Sequence, residues 1–312
     1  MTTLNEKAVL VSISTKTWRA IVKDSTATEG TADLFDTTSD WVWSTTRIVD
    51  KAVINEPTQI AAAAKNYLYG KTPGPLDGKF LVGGLPLWSK GWHICPSALQ
   101  ETVLRNIGEF QSRFEAAVET VKQALPDALE RARVENPKLH HGVSRTEVRL
   151  KSFAKVFDVE TIIAEKYAFH RHLDLIPSAG DIRVEASKEF VADLKAEVET
   201  KASNKLQEVS DHCIATVVDV AKHLASSLSD YDSENKGKSP FRDSTLEKAR
   251  DLVPVIRSLN VNGDARIDRI VDDLVSIVGN KSADDLRKDS EMRKSTGDAA
   301  SKLANDIDSL FN

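Results

Sequence analysis

The sequence predicts a mainly α-helical protein, an elongated helical bundle with long helices and a small N-terminal β element (α+β). Two apolar stripes at helical spacing, each running over dozens of residues, predict the bundle. A period-two run near the N-terminus predicts the strand. No apolar stretch approaches the roughly 18 residues that a membrane span needs, so the helices are expected to bury themselves against protein. Three regions are expected: 1–95 with strand, loop and hairpin, 96–230 as the long-helix core, and 241–312 as a C-terminal helical region.

In chain order, Val9, Val11 and Ile13 alternate with Leu10, Ser12 and Ser14, the pattern of a strand. From Asp24 to Asp40 there are five acids and no base, which reads as a solvated loop or short helices. Thr58 to Tyr69 is Ala-rich and helical, stopping at Gly70. Residues 70–92 hold six glycines and three prolines among Phe80, Leu81, Val82, Trp88 and Trp92. That mixture predicts a hairpin or ordered loop whose aromatics pack on neighbouring helices.

Ser97 and Gln100 form a capping-box pattern at the start of the first long helix. Its stripe is Leu99, Val103, Ile107, Phe110, Phe114, Val118, Val121 and Leu125, with a mean step of about 3.7 residues. Pro126 is expected to kink or end it, and a second stretch reaches about Val134. A further stripe runs from Phe190 through Val209, Cys213, Val217 and Leu224 to Leu228, with a mean step of about 3.8. Both values exceed the 3.5 of a left-handed coiled coil. Ser229–Pro240 reads as a linker. Helices follow around Ser244–Leu259, split or kinked by Pro254, and around Ala265–Val278, with Asp264 as N-cap. In the charged tail from Ala283, Leu303, Ile307 and Leu310 share one face, the candidate surface for docking on a partner.

The formal net charge is −5, and residues 181–312 carry 20 bases against 26 acids. General nucleic-acid packaging is disfavoured by that balance. Two distant cysteines, Cys95 and Cys213, fit a reducing compartment, and the N-terminus lacks a signal-peptide core, so a cytoplasmic address is expected, in a bacterium or an infected cell.

Chemical motifs fail on inspection. Gly70-Lys71-Thr72 ends like a phosphate-binding loop, but position 65 is Lys where that loop needs Gly, and a helix precedes it. Asn260–Asp264 resembles part of a calcium loop, yet the alignment puts Arg269 where a bidentate Glu is required. The alternative is a helix–loop–helix turn with Gly263 left-handed and Asp264 capping. His140, His141, His170, His172, His212 and His223 lack zinc spacing, and neither cysteine has a nucleophile signature. No catalytic residue, metal or cofactor is assigned.

One positive cluster stands out: Lys138, Arg145, Arg149, Lys151 and Lys155. With Arg145 at zero on a helical wheel, Arg149 falls near about 40° and Lys151 and Lys155 near about 240° and 280°. The cations form no single ridge, which favours a solvated helix face over a phosphate site.

Several segments are similar to an uncharacterised family of phage, plasmid and bacterial proteins. They are the strand ending in Trp18, the Gly83–Trp92 stretch, the helix from Ser97, and Phe241-Arg242-Asp243-Ser244 leading through Leu259-Asn260 to Asp264. Genes of that family tend to neighbour MoxR-type AAA ATPases and von Willebrand A-like proteins. The resemblance implies a non-enzymatic partner or adaptor in a phage-borne assembly, with an AAA ATPase as one possible partner. The expectation is therefore an interaction protein that self-associates as a homo-oligomer or docks through helical faces. A nucleic-acid-binding module of phage recombination or host takeover, centred on residues 138–155, and a hydrolase or metal enzyme with scattered ligands stand as alternatives.

Overall fold

Alternation near the N-terminus and helical periodicity elsewhere set the architecture of the chain, seen in a computed structural model that describes residues 7–47, 49–135, 159–181, 187–231, 241–261 and 263–311. Among the described residues it is mainly helical, with one four-stranded sheet and one two-stranded ribbon. In order these are β1 (Ala8–Lys16), β2 (Ile21–Asp24), α1 (Ser25–Leu34), β3 (Ser44–Arg47) and α2 (Lys51–Leu68). Then come β4 (Leu87–Ser89), β5 (Trp92–Pro96), α3 (Ser97–Glu135), α4 (Val159–Lys166) and β6 (Ala168–Leu175). A 3₁₀ turn at Ala179–Asp181 leads to α5 (Lys188–Ser229), α6 (Asp243–Leu259), α7 (Ala265–Val278), α8 (Ala283–Lys288) and α9 (Ser290–Phe311). No helix among the described residues is long and apolar enough to cross a membrane.

The chain forms two compact units: 1–12, 66–106 and 172–312 make the first, and 13–65 with 107–171 the second. These do not follow the expected divisions near 95 and 230, because β1 and α3 each pass from one unit into the other.

In the first unit, Ala8–Ser12 of β1 pairs antiparallel with Trp92–Pro96 of β5, and Gly91, at φ +79°, turns β4 into β5. The core is helical. Val209, Cys213, Val217, Leu224 and Leu228 of α5 meet Leu246, Leu252 and Ile256 of α6 and Ile267, Val271 and Leu274 of α7. Helix α9 runs along α5, and Gly297 faces it: a Cβ there would lie 3.5 Å from the Leu228 Cβ, in ordinary van der Waals contact. Ser187 accepts from the Phe190 amide to cap α5, but only the second half of the expected stripe is closed. Phe190 is 51% exposed, and Leu194 and Val198 are half-buried.

Asp264 caps α7 as expected, accepting from the Arg266 amide at 2.9 Å, and Gly263 takes φ +68°. Pro254 does not split α6, which stays helical because Leu252, Val255, Ile256 and Leu259 around it are buried. The segment 232–240, within the expected linker, lies outside the described residues.

In the second unit, Pro126 likewise sits inside α3 rather than ending it. Val121, Leu125 and Ala128 are buried on either side, and that packing outweighs the lost amide bond. Phe114 meets Phe169 and Tyr167 at ring-centroid distances of 5.6 and 6.4 Å. The buried Tyr167 hydroxyl has no hydrogen-bond partner among the described residues, and burial pushes its pKa up to about 12. The ribbon of β2 and β3 pairs Ile21 with Arg47 and Asp24 with Ser44, with α1 and a loop carried between the strands.

Candidate functional site

The excursion between β2 and β3 begins with α1, where Thr28 is buried and Thr31 donates back to the Ala27 carbonyl at 2.7 Å. These hydroxyls receive β3. The Ser44 amide donates to the Thr28 hydroxyl at 2.9 Å, and the Ser44 and Thr31 hydroxyls lie 3.1 Å apart. Residues 34–43 therefore leave and rejoin the unit at one place, as in an Ω-type loop.

The loop starts with a helix stop in which Asp36 takes φ +50°. The Thr37 amide donates to the Ala32 carbonyl at 2.9 Å and the Asp36 amide to the Asp33 carbonyl at 3.2 Å. This is a Schellman arrangement with aspartate at the left-handed position that glycine normally fills. A second turn brings the Trp41 amide to the Thr38 carbonyl at 3.0 Å.

What the loop carries is unusual for a surface. Leu34 is 79% exposed, Phe35 68%, Trp41 82% and Trp43 72%. Aromatic side chains offer on the order of 150–250 Å² each, so these leave a few hundred Å² of apolar area within ten residues. Exposed area on that scale marks interaction sites rather than the scattered single apolar residues that any surface tolerates. The same stretch carries Glu29, Asp33, Asp36 and Asp40, all exposed, and none has an ion-pair partner among the described residues. No Lys or Arg occurs between Lys23 and Arg47, and the Arg47 guanidinium is turned to the Arg19 carbonyl at 3.0 Å.

The acidity of this stretch is plain in the sequence, but its apolar members were missed. The usable signal is that Leu34, Phe35, Trp41 and Trp43 fit neither a helical nor a strand period. Apolar residues without a period have no regular face on which to be buried.

The residues expected to act lie elsewhere. Leu303 and Ile307, expected as a docking face, are 6% and 2% exposed within the first unit's own core, because α9 turns that face inward onto the bundle. Leu310 belongs to the same helix. Lys138, Arg145, Arg149, Lys151 and Lys155 fall at 136–158, outside the described residues, as do His140 and His141.

Other polar clusters in the first unit hold structure together. The Asn106 amide nitrogen donates to the Tyr67 hydroxyl at 3.2 Å and to the Thr102 carbonyl at 3.0 Å, and its oxygen accepts from the Leu76 amide at 3.1 Å. The loop 70–84 is thereby clamped to α3, as expected of a structural loop. Gly70 and Gly84 make the other close approach: a Cβ on Gly70 would lie 2.2 Å from the Leu81 carbonyl oxygen. Burial, with the Asp77 carboxylate adding to it, raises the Tyr67 pKa and keeps the phenol protonated. His93 is buried, bonded through Nδ1 to the Leu85 carbonyl at 2.9 Å, and burial lowers its pKa. Burial pushes the Cys95 and Cys213 thiols up to about 12, the opposite of an activated nucleophile.

A groove of about 650 Å³ lies between α5 and α9, lined by Lys222, Tyr231, Arg293 and Lys294 among others. Two of its cations are engaged. Lys222 pairs with Asp308 at 2.6 Å, and Arg293 donates to the Leu286 carbonyl at 3.0 Å and lies over the Tyr231 ring. Among the described residues no group of His, Cys, Asp and Glu is placed to hold a metal. The exposed apolar side chains of the Leu34–Trp43 loop make it the candidate site. No protein-family model matches the chain, and no curated protein or solved structure matches it either.

Proposed function

We propose that the protein is a non-enzymatic interaction protein whose partner docks on the Leu34–Trp43 loop. The supporting observation is the exposure of three aromatic rings and a leucine on one tethered loop. Burying such a side chain against a partner is worth about 1.5–3 kcal/mol, and tryptophan is among the residues that dominate binding hot spots. The family resemblance points in the same direction, toward an adaptor in an assembly borne by phage or plasmids, and makes an AAA-type ATPase the first partner to try.

The test is capture from host lysate with the full chain, run beside the Trp41→Ala/Trp43→Ala double variant. The reading expects one or more proteins retained by the wild type and lost by the variant, with unchanged circular dichroism and melting temperature. Identical captured sets would contradict it.

A further inference from the structure

Resting on the docking role of this loop, we infer that its partner is a cationic protein segment, one that presents Lys or Arg around an apolar anchor. The loop's surroundings choose among the possible occupants. Glu29, Asp33, Asp36 and Asp40 are exposed in the same stretch of chain as the apolar residues, and no base lies within the stretch from 24 to 46. Asp24 to Asp40 alone contributes five negative charges, as many as the formal net charge of the whole chain. Like charges facing each other across an interface repel, so a second copy of the same loop is disfavoured. Phosphate backbones and anionic headgroups are repelled for the same reason. A basic protein surface gains twice, because its charges steer encounter and its apolar anchor covers the rings.

The aspartate at position 36 carries a second observation. Glycine would fill the φ +50° position without a Cβ penalty, yet an acidic side chain stands there, at the head of the apolar loop. A strained conformation retained on a surface loop is consistent with a use for its side chain.

The test is a random 16-residue peptide library selected on the full-length chain and counter-selected on the Trp41→Ala/Trp43→Ala variant. The enriched peptides are expected to carry net positive charge with at least one large apolar residue. Their affinity should fall at least tenfold on the folded Asp33→Asn/Asp36→Asn/Asp40→Asn variant, and their association rate should drop between 50 mM and 500 mM salt. Enriched peptides of neutral or negative charge, or unchanged affinity for the Asn variant, would overturn the cationic partner while leaving the docking role intact. If no peptide distinguishes the wild type from the Trp double variant, both fall. Self-association by light scattering, or binding to phosphatidylcholine vesicles, lost on Trp41→Ala/Trp43→Ala would assign the loop to another occupant and overturn the inference.

Discussion

Helix α9 and the Leu34–Trp43 loop both carry large apolar side chains among acids, and they use them in opposite ways. On α9, Leu303 and Ile307 stand one turn apart, so one rotation of the helix buries both, and they finish at 6% and 2% exposure. In the loop, Leu34, Phe35, Trp41 and Trp43 taken together follow neither a helical nor a strand period, so one regular element could not hide all four on a single face. The loop is tied at its base by Thr28, Thr31 and Ser44 and leaves its rings at 68–82% exposure. Periodic apolar residues are spent on folding. The aperiodic ones, held in place by polar bonds, are left for something else.

That contrast can be broken at several points. The largest effect is expected at alkaline pH in the first unit, where Cys213 shares the core of α9 and Cys95 is buried in β5. Burial pushes the Cys95 and Cys213 thiols up to about 12, from an ordinary value near 8.5–9 in the unfolded chain. The folded state then holds protons that the unfolded state gives up. Stability from this source is complete below about pH 8.5 and is lost as pH rises toward 12. Urea titrations across pH 8–11 should show a steeper fall for the wild type than for Cys95→Ala/Cys213→Ala. Equal slopes would show the thiols are not shielded.

Next in size, Leu303→Ala or Ile307→Ala should each cost about 2–5 kcal/mol of unfolding free energy by urea titration, because each leaves a cavity. Trp41→Ala and Trp43→Ala should stay within about 0.5 kcal/mol in the same assay, as exposed substitutions do. A loss of several kcal/mol at Trp41 would mean the ring is packed, and the contrast would disappear. Asn106→Ala should cost about 1–3 kcal/mol, since its hydrogen bonds to the Tyr67 hydroxyl and from the Leu76 amide are lost. Smaller still, and of opposite sign, Asp36→Gly should raise stability by about 1 kcal/mol by relieving the left-handed backbone. In differential scanning calorimetry a lower melting temperature for that variant would show Asp36 to be unstrained.

Much of the fold could be read from residue order. The strand at Val9–Ile13, the long stripes, the Asp264 cap and the Gly263 turn follow from period, capping and backbone preference, which act over a few residues. Where Pro126 and Pro254 continue their helices, long-range burial decides, and a local rule about proline cannot include it. The interleaved units were hidden for the same reason, since contacts between distant segments leave no mark at short range. At Leu303 and Ile307 the sequence showed an apolar face but not what covers it. In the loop it showed the acids, while exposure of Trp41 and Trp43 depends on how Ser44 is tied back to Thr28 and Thr31.

The central claim is that Trp41 and Trp43 stand in solvent until a partner covers them. Labelling the protein with 5-fluorotryptophan gives one fluorine signal for each of its five tryptophans, assigned by single Trp→Phe variants. Exchanging water for deuterium oxide should shift the Trp41 and Trp43 signals fully and the buried Trp88 signal little. Adding a cationic peptide selected on this loop should abolish the solvent shift at Trp41 and Trp43 alone. Signals from those two rings that are shielded in the free chain, or that ignore the bound peptide, would contradict the account.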